Sequence, residues 1–264
     1  MSSAAGAADG MSRAEHAAGT DPPALTFRDL GRMGYAEAYQ IQTETNAAVL
    51  AARESGRPVA GVVLFVEHDP VITISRRAGA RTHLVATPEM LEREGVEVAE
   101  TDRGGDITYH GPGQLVAYPI LDLDFLGLRL HEHMRLLEQV VIDACATFGV
   151  EARRDPGATG VWVRAGGGDD EGGAPLAKIA AMGVRVRKWV SMHGLALNVS
   201  TNLRHFQLIV PCGLVGRPVT SLEVECPARG RAAPTMEDAK AALREAIMRE
   251  VGAQRDRAVA QRGR

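Results

Sequence analysis

Short apolar runs bounded by proline, glycine and aspartate punctuate this sequence, and helical periodicity fills only some of the gaps between them. Gly61–Val66 and Val71–Ser75 read as strands joined at His68-Asp69-Pro70, with no helix in between. Val96–Ala99 reads as a strand entering a glycine-rich loop, and Gln114–Leu121 as the strand leaving it. Further strands are expected at Thr159–Arg164, Ile179–Val186 and Leu195–Val199. A helix is expected over Gly34–Arg53, with Tyr35, Ala38, Ile41, Ala48, Val49 and Ala52 as its apolar side. Others are expected over His131–Gly149 and from Thr235, where Leu243, Ala246, Ile247 and Val251 share a face. Thr87 followed by Pro88 marks the N-cap and first turn of a shorter helix. Strands and helices mixed without strict βαβ alternation favour an α+β fold, a sheet with helices on one side. No internal repeat is evident.

Composition narrows the class. With 45% hydrophobic and 24% charged residues over 264 positions, the chain reads as one globular domain with ragged ends. Its net charge of −3 gives no electrostatic case for nucleic acid. The longest apolar run, around Val59–Val66, is too short to cross a membrane. Residues 1–23 are rich in Ala, Gly and Ser and lack the basic start and apolar stretch of a signal peptide. They read as a disordered extension, and Met11 competes with Met1 as the start. Residues 253–264 read as a polar, basic tail, which leaves 24–252 as the folded domain. A cytoplasmic location follows.

The cysteines do not form a disulfide framework, which points to a reducing compartment. Cys145 falls at helical spacing with Met134, Leu137, Val141, Ala144 and Phe148, the pattern of a buried thiol on a core face. Cys226 precedes Pro227 and shows no clear partner. Cys212 differs, because Leu208-Ile209-Val210-Pro211-Cys212-Gly213-Leu214 puts a thiol where proline and glycine break an apolar run. A reactive thiolate needs such exposure, although most lone cysteines are inert core residues. No metal site is expected. His131 and His133 straddle Glu132, but a zinc helix would need its second histidine where Arg135 stands, so both read as a solvated helix start.

Arg103-Gly104-Gly105-Asp106-Ile107-Thr108-Tyr109-His110-Gly111-Pro112-Gly113-Gln114 is the densest constellation in the chain. Its glycines let backbone approach a ligand, and Arg103, Tyr109 and His110 supply polar groups around that gap. A tight connection between strands with incidental polar residues reads the same way. Neither a dinucleotide nor a P-loop fingerprint is present, and G-x-S-x-G is absent. Lys178 opens the apolar run Lys178-Ile179-Ala180-Ala181-Met182-Gly183. A lysine there is often a snorkelling edge residue. Set against Cys212, its cation would favour the thiolate: an opposite charge within about 4–6 Å lowers an acid's pKa by about 1–3, from about 8.5 for a free thiol.

In order, the Arg103–Gln114 loop, Lys178–Gly183, Met192-His193-Gly194-Leu195-Ala196-Leu197-Asn198-Val199 and Pro211-Cys212-Gly213 resemble the signature blocks of lipoyl(octanoyl) transferases. The likeness spans roughly Thr26 to Glu225 and includes Glu67-His68-x-Pro70-Val71-Ile72-Thr73 and Arg76-Arg77-Ala78. The resemblance implies a biotin/lipoate protein ligase catalytic-domain-like fold over 24–252, with a larger mixed sheet, a smaller sheet and flanking helices. It implies transfer of an octanoyl group from octanoyl-acyl carrier protein to a lysine of lipoyl domains. The acceptors would be those of 2-oxoacid dehydrogenase complexes and the glycine cleavage H protein. Cys212 would be the acyl-carrying nucleophile and Lys178 its acid–base partner. Arg103, Gly104, Gly105, Asp106, Ile107, Thr108, Tyr109 and His110 would line the acyl pocket with Ala181, Met182, Gly183, Gly194, Leu195 and Ala196. No cofactor and no metal is required, since the donor is already a thioester. His193 reads equally as orienting the catalytic pair and as a plain turn residue.

Ser75 stands where such proteins often have glycine, and Ala165–Pro175 looks like an insertion ahead of Lys178. The nearest alternatives are an ATP-dependent lipoate or biotin ligase and a lipoyl-relay amidotransferase on the same fold. Cys212 and Lys178 in their motif contexts argue against the ligase, and the Thr108–Gln114 block favours the octanoyl transferase over the relay enzyme.

Overall fold

Every residue of Gln114–Leu121 is buried, which a strand achieves only when both faces of its sheet are covered. The computed structural model describes residues 25–168, 175–210 and 217–262. The expected N-terminal extension, the Cys212 segment and the middle of the Gly/Asp-rich loop lie outside the described residues.

The chain begins with β1 (Leu25–Met33), α1 (Tyr35–Glu54), β2 (Gly61–His68) and β3 (Val71–Ser75). It continues through α2 (Pro88–Glu94), β4 (Glu97–Thr101), β5 (Ile107–His110), β6 (Gln114–Leu121) and α3 (Leu130–Thr147). Then come β7 (Ala152–Asp155), β8 (Ala158–Arg164), β9 (Leu176–Arg187), β10 (Val190–Asn198), α4 (Leu222–Glu225) and α5 (Met236–Arg262). A seven-stranded sheet runs β1-β2-β6-β10-β9-β8-β7, and a three-stranded one runs β4-β3-β5. Both are mixed, with β1 parallel to β2 and β3 parallel to β4 amid antiparallel pairs.

Helices cover both faces of the large sheet, which corrects the one-sided arrangement expected from the sequence. Side-chain alternation along β2 and β6 explains why. Leu64, Val66, Val116, Tyr118 and Ile120 pack with Ala38 and Val49 of α1 on one face. Val63, Phe65, Leu115, Ala117 and Leu121 pack with Leu137 and Val141 of α3 and Leu243 and Ile247 of α5 on the other. Each such fully buried aliphatic side chain contributes about 1.5–3 kcal/mol, so neither face is left to water. The small sheet has its own core, in which Ile72, Ile74, Ile107 and Tyr109 meet Phe206, Leu208 and Ile209.

Local signals placed several elements. The Thr87 hydroxyl accepts from Met90 N–H at 3.3 Å with Pro88 in the first turn, as expected. α3 starts where Glu132 Oε2 accepts the Arg129 N–H at 2.7 Å. Other boundaries differ. On α1 the buried face is Tyr35, Ala38, Gln42, Thr45 and Val49, whereas Ala48 is exposed. α5 continues through the expected tail to Arg262, because Ala258 is buried and Gln254 Nε2 donates to Leu126 O at 3.1 Å. His133 is fully buried rather than solvated. Burial pushes its pKa down to about 4, and among the described residues neither ring nitrogen has a hydrogen-bond partner. Cys145 and Cys226 are both buried free thiols, Cys145 with its pKa pushed up to about 12 by burial.

Candidate active site

The two sheets create the site by exchanging the chain twice. β2 belongs to the large sheet and β3 to the small one, so the Asp69-Pro70 step crosses between them. Gly111-Pro112-Gly113 brings the chain back from β5 to β6. The glycine-rich loop closes the cleft by docking on β9, where Gly104 N–H donates to Val184 O at 2.9 Å. A side chain at Gly183 would put its Cβ 2.6 Å from Gly104 O, so this contact requires glycine. Gly194 is held the same way, since a Cβ there would lie 2.3 Å from Ala117 O.

A narrow, mainly apolar cavity opens in that cleft, the kind of concave surface on which small-molecule sites are built. Arg103, Gly105, Ile107, Thr108, His110, Ala181, Met182, Gly183, Gly194, Leu195 and Ala196 line it. Blocks far apart in sequence therefore share one wall. Sequence reasoning missed Tyr35, Val116 and Tyr118, which also line it, and left His193 open. Tyr118 sits mid-strand in an apolar run, and its position on β6 beside Val116 was the only available signal.

Not every expected residue faces this cavity. Gly104 and Asp106 line an adjoining one, with Gly105, Met182, Gly183 and Lys178. Tyr109 lines neither, because strand alternation turns its ring into the small-sheet core, where its hydroxyl lies 2.7 Å from His205 Nδ1. The Arg103 guanidinium is directed inward at β3, with Nη2 donating to Thr73 O at 2.8 Å. Ser75 donates its hydroxyl to Gly105 O at 2.9 Å and so braces the loop.

At and behind the mainly apolar cavity wall, polar side chains form a hydrogen-bonded chain with neutral histidines. Asn198 Nδ2 donates to Thr220 O at 2.9 Å, so its Oδ1 accepts from Gln114 Nε2, also at 2.9 Å. Gln114 Oε1 is then an acceptor, and His110 Nδ1–H donates to it at 2.7 Å. Burial holds the His110 pKa down near about 3 and that of His68 near about 4. His68 Nδ1–H points at Met33 O (3.3 Å), so the Tyr118 hydroxyl donates to His68 Nε2 at 2.7 Å. Burial also raises Tyr118 well above the ordinary phenol value.

His193 has a left-handed backbone, φ +59°, a strained state for a residue with a side chain. Its N–H donates to Gln42 Oε1 at 3.0 Å, and its Nε2–H to Asp102 Oδ1 at 2.9 Å, which over-determine that conformation. Burial lowers the His193 pKa against the pull of Asp102. Asp102 remains an anion: burial raises its pKa, but the His193 hydrogen bond and the Arg185 charge outweigh that.

Lys178 occupies the corner next to this wall. It is 7% exposed and lines both the adjoining cavity and a narrow pocket that shares Thr108 and Ala181 with the first cavity. Its Nζ lies 4.7 Å from the centroid of the Trp162 ring. Residues 211–216 are outside the described residues, but the chain on either side is anchored nearby. Val210 N–H donates to His83 O at 2.8 Å, and His83 Nδ1 is 2.9 Å from Asp106 Oδ2. Lys178 N–H donates to Pro218 O at 2.9 Å, and Thr220 N–H to Lys178 O at 3.0 Å.

Comparison with known proteins agrees with this geometry. The family model of the lipoyl protein ligase A/B catalytic domain matches residues 38–248. In fold, the chain is similar to lipoate-protein ligase A bound with ATP (TM-score 0.62, 13% identity, 91% of this chain and 94% of that one). It is also similar to the bi-partite lipoate protein ligase from Thermoplasma acidophilum (TM-score 0.61, 15% identity, 90% and 91%). In sequence it is 46% identical to an octanoyltransferase of Acidobacterium capsulatum, over 76% of this chain and 80% of that protein. It is 47% identical to one of Bacteroides fragilis, over 72% and 83%. The chain belongs to the lipoyl protein ligase A/B catalytic domain family. Within that family it belongs with the octanoyltransferases, which are acyltransferases. Among the described residues, no helix is long and apolar enough to cross a membrane.

Proposed function

We propose that this chain transfers an octanoyl group from octanoyl-acyl carrier protein to the target lysine of a lipoyl domain, through a thioester on Cys212. The observation that carries the reading is the junction of an apolar slot with the Lys178 corner. Small residues at Ala181, Gly183, Gly194 and Ala196 leave room for a straight chain between apolar walls. Each buried CH₂ of that chain contributes about 0.8 kcal/mol. The anchored ends at Val210 and Pro218 support Cys212 as the residue that meets this junction.

In the first half-reaction the Cys212 thiolate attacks the donor carbonyl, and the carrier's pantetheine thiol leaves with a proton given by the Lys178 ammonium, which becomes the free amine. In the second, the acceptor lysine amine attacks the Cys212 thioester and forms the amide. The amine's proton passes to Lys178 and the thiolate is restored. Backbone N–H groups of the site would hold the tetrahedral oxyanion in each half. Such a double displacement gives ping-pong kinetics. The neutral histidines fit the same role, since His110 at the cavity and His68 behind it add no charge to an apolar slot and do not compete for the thioester at neutral pH. Lipoyl domains of 2-oxoacid dehydrogenase complexes and the glycine cleavage H protein are the proposed acceptors.

The test is to incubate the protein with octanoyl-acyl carrier protein and an apo lipoyl domain, without ATP, and follow octanoylation of the domain by mass. Transfer without nucleotide is expected. Modification only when free octanoate and ATP are supplied would overturn the reading in favour of a ligase.

A further inference from the structure

Lys178 shares one aromatic ring with a second cation. The Arg217 guanidinium carbon lies 4.2 Å from the Trp162 centroid, and Lys178 Nζ lies 4.7 Å from the same point. Whichever faces they occupy, the two charges are within about 9 Å of each other, close enough to interact in a partly buried site. The ring itself is fixed, because Trp162 is 1% exposed and its Nε1–H donates to Ala158 O at 3.2 Å. Arg217 is held in turn by an ion pair with Asp155, at the end of β7. The Asp155 carboxylate also accepts the Gly157 N–H at 2.7 Å. These bonds to Arg217 and Gly157 lower the Asp155 pKa, and the charge of Lys178 adds to the effect. Gly160 is required beside the lysine, since a Cβ there would stand 2.6 Å from Ala180 O and 3.3 Å from Lys178 Cε.

We propose that Arg217, seated on Trp162 and tied to Asp155, is a positioning residue that sets the charge state of the Lys178 amine. The inference rests on the reading of Lys178 as the acid–base residue and gives that reading a mechanism. A neighbouring cation disfavours a second one, and a neighbouring anion favours it. Arg217 therefore drives Lys178 toward the free amine, the form that accepts a proton from the attacking lysine. Asp155 acts in the opposite sense, but Arg217 engages its carboxylate. The other charged groups described around the same cavity are Arg77 and Asp106, on the glycine-rich-loop side, and Asp106 faces His83. Arg217 follows the Cys212 segment directly, so the residue that tunes the lysine travels on the same stretch of chain as the proposed nucleophile.

The opposing signs make the test specific. Arg217→Met keeps the aliphatic cover on Trp162 but removes the charge and frees Asp155. It should raise the pH at which Lys178 titrates by about one unit, a tenfold loss of free amine at a given pH. Asp155→Asn should move the midpoint down, and Arg217→Lys should restore it. The midpoint is read in the full-length chain by the pH dependence of Lys178 acetylation with acetic anhydride, located by peptide mass spectrometry. The pH profile of octanoyl transfer is read alongside and should move with it. A purely structural Arg217 would lower activity without moving either midpoint, and unmoved midpoints in both Arg217→Met and Asp155→Asn would overturn the inference. Lys178→Met separates the two levels. Full transfer by that variant would overturn the role of Lys178 itself, whereas loss of transfer with unmoved midpoints would overturn only the tuning by Arg217.

Discussion

The cavity wall and the Lys178 corner handle buried polarity in opposite ways. His110 and Tyr118 on the wall, and His68 behind Tyr118, are uncharged and tied into hydrogen bonds. In the corner, Lys178 and Arg217 share the Trp162 ring, with Asp155 paired to Arg217 alongside. The contrast matches two tasks. A wall that contacts a hydrocarbon chain gains from neutrality, because a buried charge would demand a counter-charge in the slot. A corner that moves protons needs groups whose charge can change, with neighbours that set when it does.

The largest expected consequence lies in the corner. Lys178→Met should reduce octanoyl transfer by about 100-fold or more, the usual weight of one acid–base group, with little change in donor affinity. An unchanged turnover would place proton transfer elsewhere.

Next comes the wall. His68 and His110 have folded-state values of about 4 and about 3, against 6.5 for a free side chain. Each is neutral when folded and protonated when unfolded once the pH falls below 6.5, so the unfolded state binds more protons there. Their contribution is present in full above pH 6.5 and is lost as the pH falls toward about 4. Each of them accounts for about 1.4 kcal/mol per pH unit in that window. Urea midpoints measured from pH 7.5 to 4.5 should fall steeply below 6.5, and a flat profile would contradict the neutral wall.

A smaller effect is expected from Ala181→Leu, which fills the slot without touching a charge. Displacing two methylenes of the acyl chain at about 0.8 kcal/mol each should cost at least about tenfold with octanoyl donors. Butanoyl donors should be spared, and equal losses for both would mean that the chain lies elsewhere. The smallest effect belongs to a histidine in neither region. His133 has two buried ring nitrogens without partners among the described residues, so His133→Leu should leave transfer unchanged and raise stability by about 1–3 kcal/mol. Destabilisation would indicate a partner for that ring.

How far these regions were legible in the sequence follows from which forces act locally. The strand Gln114–Leu121 and the Thr87 cap were read correctly because an apolar run and a capping hydroxyl act over a few residues. Most of the pocket wall was reached only through the resemblance, since Arg103, Ala181 and Gly194 lie on separate elements. β1 and β7 escaped notice because both are edge strands with polar, partly exposed residues. The inner face of α1 was misread because Gln42 and Thr45 are buried there, Gln42 to receive the His193 N–H. That bond spans 151 positions, and no local pattern encodes it. Tyr109 shows the limit of motif reading, since it sits inside the signature block and still turns away from the cavity.

The central claim is that the acyl group rests on Cys212 between donor and acceptor. The most direct measurement is the intact mass of the protein after brief exposure to octanoyl-acyl carrier protein, with no acceptor and no ATP. The account predicts one octanoyl adduct, mapped to the peptide containing Cys212, absent in Cys212→Ala and discharged when an apo lipoyl domain is added. Transfer to the lipoyl domain at full rate by Cys212→Ala, with no adduct in either protein, would contradict it.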